Sequence, residues 1–449
     1  MDATAGQARM RVVKTSTLRG HDLQGVLPVP SAARPPDSHA LGRCVGDVES
    51  FAGQAWGKRT HVSHDRTLGA ELISLADIDH LLTATSVLRW DHLRLVRDGT
   101  VIPRPSHLRP MRETTPPGSR GAAESDRLLD AVHRGIASPS DVIAAVAAGA
   151  TLILQAMHWY HRPVMDLCRA LELVIGHKCQ ANFYLGPPSA QAFTRHTDEH
   201  DLFILQVFGE KVWHLDQTPW EAAHGVAASR DEIVLRSGDV LYMPKGTPHL
   251  VHTESQMSGH LSIGALPNTW RDLMLGVLTE ALDGEELDEE LPLDWMRDVT
   301  RLAEIGDKRM AALSDRLASL SVQAAHPAHL RRFLDQLPDR ISGSFAGRLS
   351  CGEIGDETVL ARASGVPCEL FAGSDDRTLH VVLGQRAVSM PVEFAPAVRR
   401  VLELERLRPA DLAAMLCPAD RIELCRTLRD AHLLSPDVPE RVEGRPGAR

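Results

Sequence analysis

The stretch from Gln180 to Pro267 constrains the fold of this chain most. Short apolar runs follow one another there: CQANFYL, HDLFILQVF, KVWHL, EIVLRSGDVLYMP, PHLVHT and GHLSIGAL. Gly, Pro and Asp separate them. Alternate residues of an extended segment project to opposite faces, so such runs read as strands. A succession of short strands joined by tight turns predicts a small antiparallel barrel or jelly roll.

The flanks have a different rhythm. Residues 1–45 contain PVPSAARPPDS, a Pro/Ser-rich stretch that reads as a flexible N-terminus. DVESFAGQAWGKRTHVS reads as a helix ending at Gly57. SLADIDHLLTAT reads as a second, with Ser74 as N-cap and a stripe of Leu75, Ile78, Leu81 and Leu82. LRLVRDGTVIP turns at Asp98-Gly99, a hairpin signal. SDRLLDAVHRGI and SPSDVIAAVAAGA read as helices, TLILQAM as a buried strand, and RPVMDLCRALELVIG as a helix started by Pro163 and stopped by Gly176. After Trp270 the apolar spacing becomes three and four. TLHVVLGQRAVSMP then reads as a hairpin turning at Gly384-Gln385, with short helices after it. The expected class is α+β, divided into 1–45, a barrel domain over 46–270, a helical region over 271–340, and a winged-helix-like module over 341–449.

Composition removes several function classes. A chain of 449 residues that is 43% hydrophobic builds two or three soluble cores. A net charge of −10 argues against a nucleic-acid binder held by phosphate contacts. Arg and acid residues interleave in the C-terminal module, so a ligand-sensing DNA-binding regulator is only a distant alternative. The seven cysteines include no CxxC pair, which argues against a structural zinc site. No apolar run approaches ~20 residues, and the cytoplasm is the expected compartment.

The chemistry concentrates in FTRHTDEHDLFILQVFGEKVWHL. His196 and Asp198 are two apart and share a face if the segment is extended. His249 opens the run after DVLYMPKGTP. Two imidazoles and one carboxylate are the ligand set of non-haem Fe(II) oxygenases, which leave open positions for a bidentate 2-oxo acid and O2. Zinc or manganese, in a lyase or isomerase, remains the alternative for those ligands. Beyond the Gly209-Glu210 turn, Lys211, Trp213 and Leu215 share one face. If Trp213 packs inward so does Lys211, and a buried amine suits an anionic co-substrate. His260 and Ser262 share a face of the last strand, where they can line the pocket. Glu199 and His200 fall at the rim. His158 and His161 of HWYHR read as core or helix-start residues, and His214 and His252 as structural.

NFYLGPPSAQAFTRHTDEHDLFILQVFGEKVWHL and SGDVLYMPKGTPHLVH…SGHLSIG resemble the JmjC-type cupin oxygenases of the ribosomal oxygenase branch. That resemblance implies a double-stranded β-helix with an N-terminal helical flank, a helical dimerisation region and a C-terminal winged helix. It implies Fe(II) held by His196, Asp198 and His249, with O2 and 2-oxoglutarate as co-substrates. Lys211 would hold the distal carboxylate of 2-oxoglutarate, and Asn182 would help, with Tyr184 as pocket wall. The family's polar last-strand residue falls on His260 or Ser262. The implied substrate is an Arg or His side chain of a ribosomal protein. The same chemistry on a small molecule or biosynthetic peptide is the alternative. Amphipathicity and resemblance together lead to a homodimer.

Overall fold

The computed structural model describes residues 10–19, 22–29, 40–64, 68–83, 92–103, 108–109, 136–282, 287–338, 352–363 and 365–436. They form two compact units, one over 37–267 and one combining 1–36 with 268–449.

The first unit contains the barrel. Its large sheet has eight strands in the order His61–His64, Asp239–Met243, Asp201–Phe208, Ser258–Leu266, Lys178–Gly186, Thr151–Leu154, Leu93–Arg97 and Thr100–Val101. Its small sheet has Arg230–Arg236, Glu210–Asp216 and His249–Thr253. All these pairings are antiparallel.

Alternation explains the layering. Cys179, Ala181, Phe183 and Leu185 share one face of their strand. With Phe203, Leu205, Leu261 and Ile263 they pack on Leu167, Cys168 and Leu171 of the helix Arg162–Ile175. The opposite parity, Leu202, Ile204, Leu241 and Met243, packs on Trp213, Leu215 and Leu235 of the small sheet. Fully burying a side chain such as Phe203 stabilises the fold by about 1.5–3 kcal/mol. The helix over 162–175 ends as expected: Gly176 is left-handed at φ 67°, and its N–H donates to the Glu172 carbonyl at 3.0 Å. Ser74 caps its helix, its Oγ accepting from the Asp77 N–H at 3.2 Å.

Two expectations need correction. The helix beginning at Val48 stops at Gln54, and His61–His64 is an edge strand paired with Asp239–Tyr242. Residues 1–45 are not uniformly flexible. Arg11–Lys14 and Leu23–Leu27 are strands, and Ala40–Val45 is a helix. The helix expected over SDRLLDAVHRGI lies outside the described residues up to position 135.

The second unit centres on a five-stranded antiparallel sheet, ordered Arg11–Lys14, Arg386–Pro391, Thr378–Leu383, Glu369–Gly373 and Leu23–Leu27. The expected hairpin at Gly384 is its middle. Helices Ala395–Glu403 and Pro418–Asp430 close its core with Val398, Val401, Leu424 and Leu428. Three helices precede it, Trp270–Leu282, Val299–Ser319 and Val322–Asp335. Among the described residues no helix is long and apolar enough to cross a membrane.

Candidate active site

His196 and His249 come from segments far apart in sequence, yet their backbones pair as an isolated antiparallel bridge. The His196 N–H donates to the His249 carbonyl at 3.1 Å, and the His249 N–H to the His196 carbonyl at 2.9 Å. Asp198 is tied in by its carbonyl, which accepts from the Gly246 N–H at 2.9 Å. Gly246 sits at φ 78°, a left-handed turn residue that delivers the chain to His249. One ligand atom from each of His196, Asp198 and His249 lies within 4.8 Å of the others. The His249 Nε2 is 3.5 Å from the Asp198 Oδ2.

Both rings are oriented by main-chain acceptors. His196 Nδ1 donates to the Thr194 carbonyl at 2.9 Å, and His249 Nδ1 to the Thr247 carbonyl at 3.1 Å. A proton held at Nδ1 leaves the Nε2 lone pair for a metal. Burial lowers the His249 pKa, which favours the neutral ring that metal binding requires. Two imidazoles and a carboxylate therefore fit Fe(II), and the set lacks the thiolates typical of structural zinc sites.

The turn at Gly209 starts the strand that lies beside His249 in the small sheet. Its φ is 64°, and a Cβ there would lie 2.4 Å from the Met257 carbonyl oxygen, so only glycine fits. The returning strand buries Lys211 and Trp213, as the shared parity predicts. Lys211 Nζ donates to the Tyr184 carbonyl at 3.2 Å and to His260 Nδ1 at 2.7 Å. Burial pulls the amine from 10.5 down to about 7. Among the described residues no carboxylate forms an ion pair with it. His260 is held well below its ordinary pKa by burial, then by the Lys211 charge, so it is neutral and can accept that proton. Its ring stacks on Tyr184 at 4.8 Å and 6°. Burial, then the Asp198 charge, pushes the Tyr184 phenol up to about 12.

All eight residues named from the sequence line one cavity of about 280 Å³: Asn182, Tyr184, His196, Asp198, Lys211, His249, His260 and Ser262. Asn182 and Ser262 face each other across neighbouring strands, as do Tyr184 and His260. Asn182 Oδ1 accepts from the Ala156 N–H at 3.1 Å. His200 also lines the cavity, nearer than a rim position, with a ring atom 2.9 Å from where a Gly264 Cβ would lie. His158 and His161 are structural, bound to the Ala181 N–H and the Leu72 carbonyl. His214 and His252 stack on each other at 5.2 Å. Sequence reasoning missed Arg94, Gln155 and Gln180, which line the same cavity. The parity of LRLVR was the available signal, because Leu93 and Leu95 are fully buried in the helical core and Arg94 must face the other way.

A family model described as "JmjC domain" matches residues 157–273. A bifunctional lysine-specific demethylase and histidyl-hydroxylase NO66 from Dictyostelium discoideum is 32% identical over 41% of this chain and 40% of its own length. Human ribosomal oxygenase 1 is 26% identical over 61% of this chain and 42% of its own length. The chain thus spans about two fifths of these relatives. A solved structure of the Escherichia coli ribosomal oxygenase YcfD with cobalt and 2-oxoglutarate matches 87% of this chain and 98% of its own, at 17% identity and a TM-score of 0.45. Residues 157–273 therefore match the JmjC domain family, and the relatives the chain resembles are ribosomal oxygenases and histidyl-hydroxylases.

Proposed function

We propose that the chain is an Fe(II)- and 2-oxoglutarate-dependent oxygenase that hydroxylates a protein side chain, an Arg or His of a ribosomal protein. One observation carries the reading. Two imidazoles with Nδ1 tied to main-chain carbonyls and one carboxylate converge in a cavity that is also lined, from the strand beside His249, by a buried amine with no acid partner. His196, Asp198 and His249 would hold the iron. When bound, iron and 2-oxoglutarate supply the oxidising power for inserting one oxygen atom of O2 into a C–H bond.

This chain's residues do the positioning. Lys211 offers a cation to the distal carboxylate of 2-oxoglutarate, and His260 holds the amine in place from Nδ1. Trp213 and Tyr184 wall the cavity and keep water from it. Asn182 and Ser262 add hydrogen-bonding groups beside that anchor.

The coarser features of the second unit support two further parts of this reading. Trp270, Met274, Leu275 and Leu278 on one helix, and Leu293, Met296 and Val299 just after it, are exposed. An apolar surface of that extent favours pairing of the 271–340 region with a second copy. The hairpin and two helices after residue 369 support a winged-helix-like module used structurally. Cys368, Cys417 and Cys425 are thiols, which supports a reducing, cytoplasmic compartment.

The test is succinate release from 2-oxoglutarate with added Fe(II), together with mass spectrometry of ribosomal proteins from cells with and without the gene. The expected difference is the mass of one oxygen atom on one side chain. No succinate, with tight zinc binding instead, removes the oxygenase reading.

A further inference from the structure

The turn between the strands Asp239–Met243 and His249–Thr253 makes three main-chain contacts that bear on the proposed metal centre. The Gly246 N–H donates to the Asp198 carbonyl at 2.9 Å, and the Thr247 carbonyl accepts from His249 Nδ1 at 3.1 Å. Two of the three proposed ligands therefore take their places from this turn. Its third contact fastens it to the barrel: the Lys245 N–H donates to Asp201 Oδ1 at 2.8 Å.

Asp201 does not face the cavity. It has the parity of Phe203 and Leu205, which pack under the covering helices. Its carboxylate is fixed there from the far side. Tyr242, fully buried, donates its hydroxyl to Asp201 Oδ2 at 2.6 Å and accepts from the Gly57 N–H at 2.8 Å. Burial, then the Asp201 charge, pushes the Tyr242 phenol well up, so it keeps the proton it donates. The Tyr242 ring is itself wedged, edge-on to Phe51 at 4.8 Å and stacked on Trp56 at 5.6 Å. A line of hydrogen bonds thus runs from Gly57 through Tyr242 and Asp201 to the turn. It ends on the peptide next to the one that holds Asp198.

We propose that Asp201 is a positioning residue for the metal centre: it holds the 244–247 turn from outside the cavity, and so sets where the Asp198 backbone and the His249 ring stand. It acts without touching metal, co-substrate or substrate. The proposal rests on the metal reading of His196, Asp198 and His249. Alanine at 201 would leave the Lys245 N–H and the Tyr242 hydroxyl without their acceptor, and the turn would lose its tie to the barrel.

The test measures Co(II) binding to the full chain by equilibrium dialysis, with the visible ligand-field bands of the bound ion as a second readout. Asp201→Ala should weaken binding about tenfold and alter the bands. Leu171→Ala, a core truncation in the helix over 162–175, should lower the melting temperature and change neither. Wild-type affinity and bands in Asp201→Ala overturn the proposal. So does an equal loss in Leu171→Ala, which would reduce the effect to general destabilisation. The metal-free wild type gives a reading that needs no variant to fold. Hydrogen exchange over residues 244–249 should already be slow, and Co(II) should change it by less than about twofold. Fast exchange that slows only with Co(II) would show that the ion, not Asp201, orders the turn. Succinate release is read separately: its absence alongside the expected Co(II) results sinks the oxygenase reading and leaves the role of Asp201 standing.

Discussion

Replacing Lys211 by Met should stabilise the barrel at pH 7 while removing the proposed co-substrate anchor. An exposed lysine titrates at 10.5, and burial brings Lys211 down to about 7. Above ~10.5 the amine is neutral in both the folded and unfolded chains and has no linkage cost. As pH falls, the unfolded chain takes up its proton first and the folded state loses ground. Below ~7 the cost is constant. At about 1.4 kcal/mol per pH unit, the amine destabilises the empty protein by about 4 kcal/mol at pH 7 and about 1 kcal/mol at pH 9.5. Methionine gives up two hydrogen bonds, to the Tyr184 carbonyl and to His260. Each contributes about 1 kcal/mol, nearly independent of pH. The variant should therefore be about 2 kcal/mol more stable at pH 7. That advantage should shrink by about 3 kcal/mol by pH 9.5, reversing the order. Urea unfolding of both proteins at both pH values, followed by tryptophan fluorescence, measures it. A stability difference that does not move between the two pH values would show that the amine is hydrated and the reasoning wrong.

Four other outcomes follow from the same site. Binding of 2-oxoglutarate should take up nearly one proton at pH 8.5, and its affinity should fall roughly tenfold per pH unit above ~7; calorimetry in buffers of different ionisation enthalpy reads this, and zero uptake refutes it. Alanine at His196, Asp198 or His249 should weaken Co(II) binding at least about a hundredfold by equilibrium dialysis, and full affinity in any one would exclude that ligand. Gly209→Ala should cost about 2–3 kcal/mol or more in thermal unfolding, since its Cβ would strike the Met257 carbonyl at a left-handed turn; a wild-type melting curve would contradict the close approach. Met296→Asp should shift the mass measured by light scattering from dimer to monomer, and a monomeric wild type at micromolar concentration would end the dimer reading.

The barrel was legible because its strands are local events. HDLFILQVF and CQANFYL alternate, their turns carry Gly or Pro, and the helices that cover one face announce themselves by period. Lys211 was placed by the parity of Trp213 alone. What sequence could not show were pairings between distant segments. Arg11–Lys14 lies beside Arg386–Pro391, and nothing in either run names its partner. His61–His64 is too short to outvote the helical pattern just before it, and its strand identity comes from the free edge beside Asp239–Met243. Arg94 was invisible for the same reason: its parity shows the inner face, but only the row through Ile153 and Tyr184 shows which interior it enters. His260 was separable from Ser262 only by geometry, because both share a face and one alone reaches Lys211.

The reciprocal main-chain bond between His196 and His249 has a consequence for how the proposed metal would be loaded. The spacing of the two proposed ligands is built into peptide groups that pair with each other, and each ring is aimed by a carbonyl two residues before it. Loading then demands little rearrangement beyond the Asp198 side chain. A centre assembled this way has no folding switch to tell one divalent ion from another. Which ion it carries is left to the donor set and to what the cell supplies.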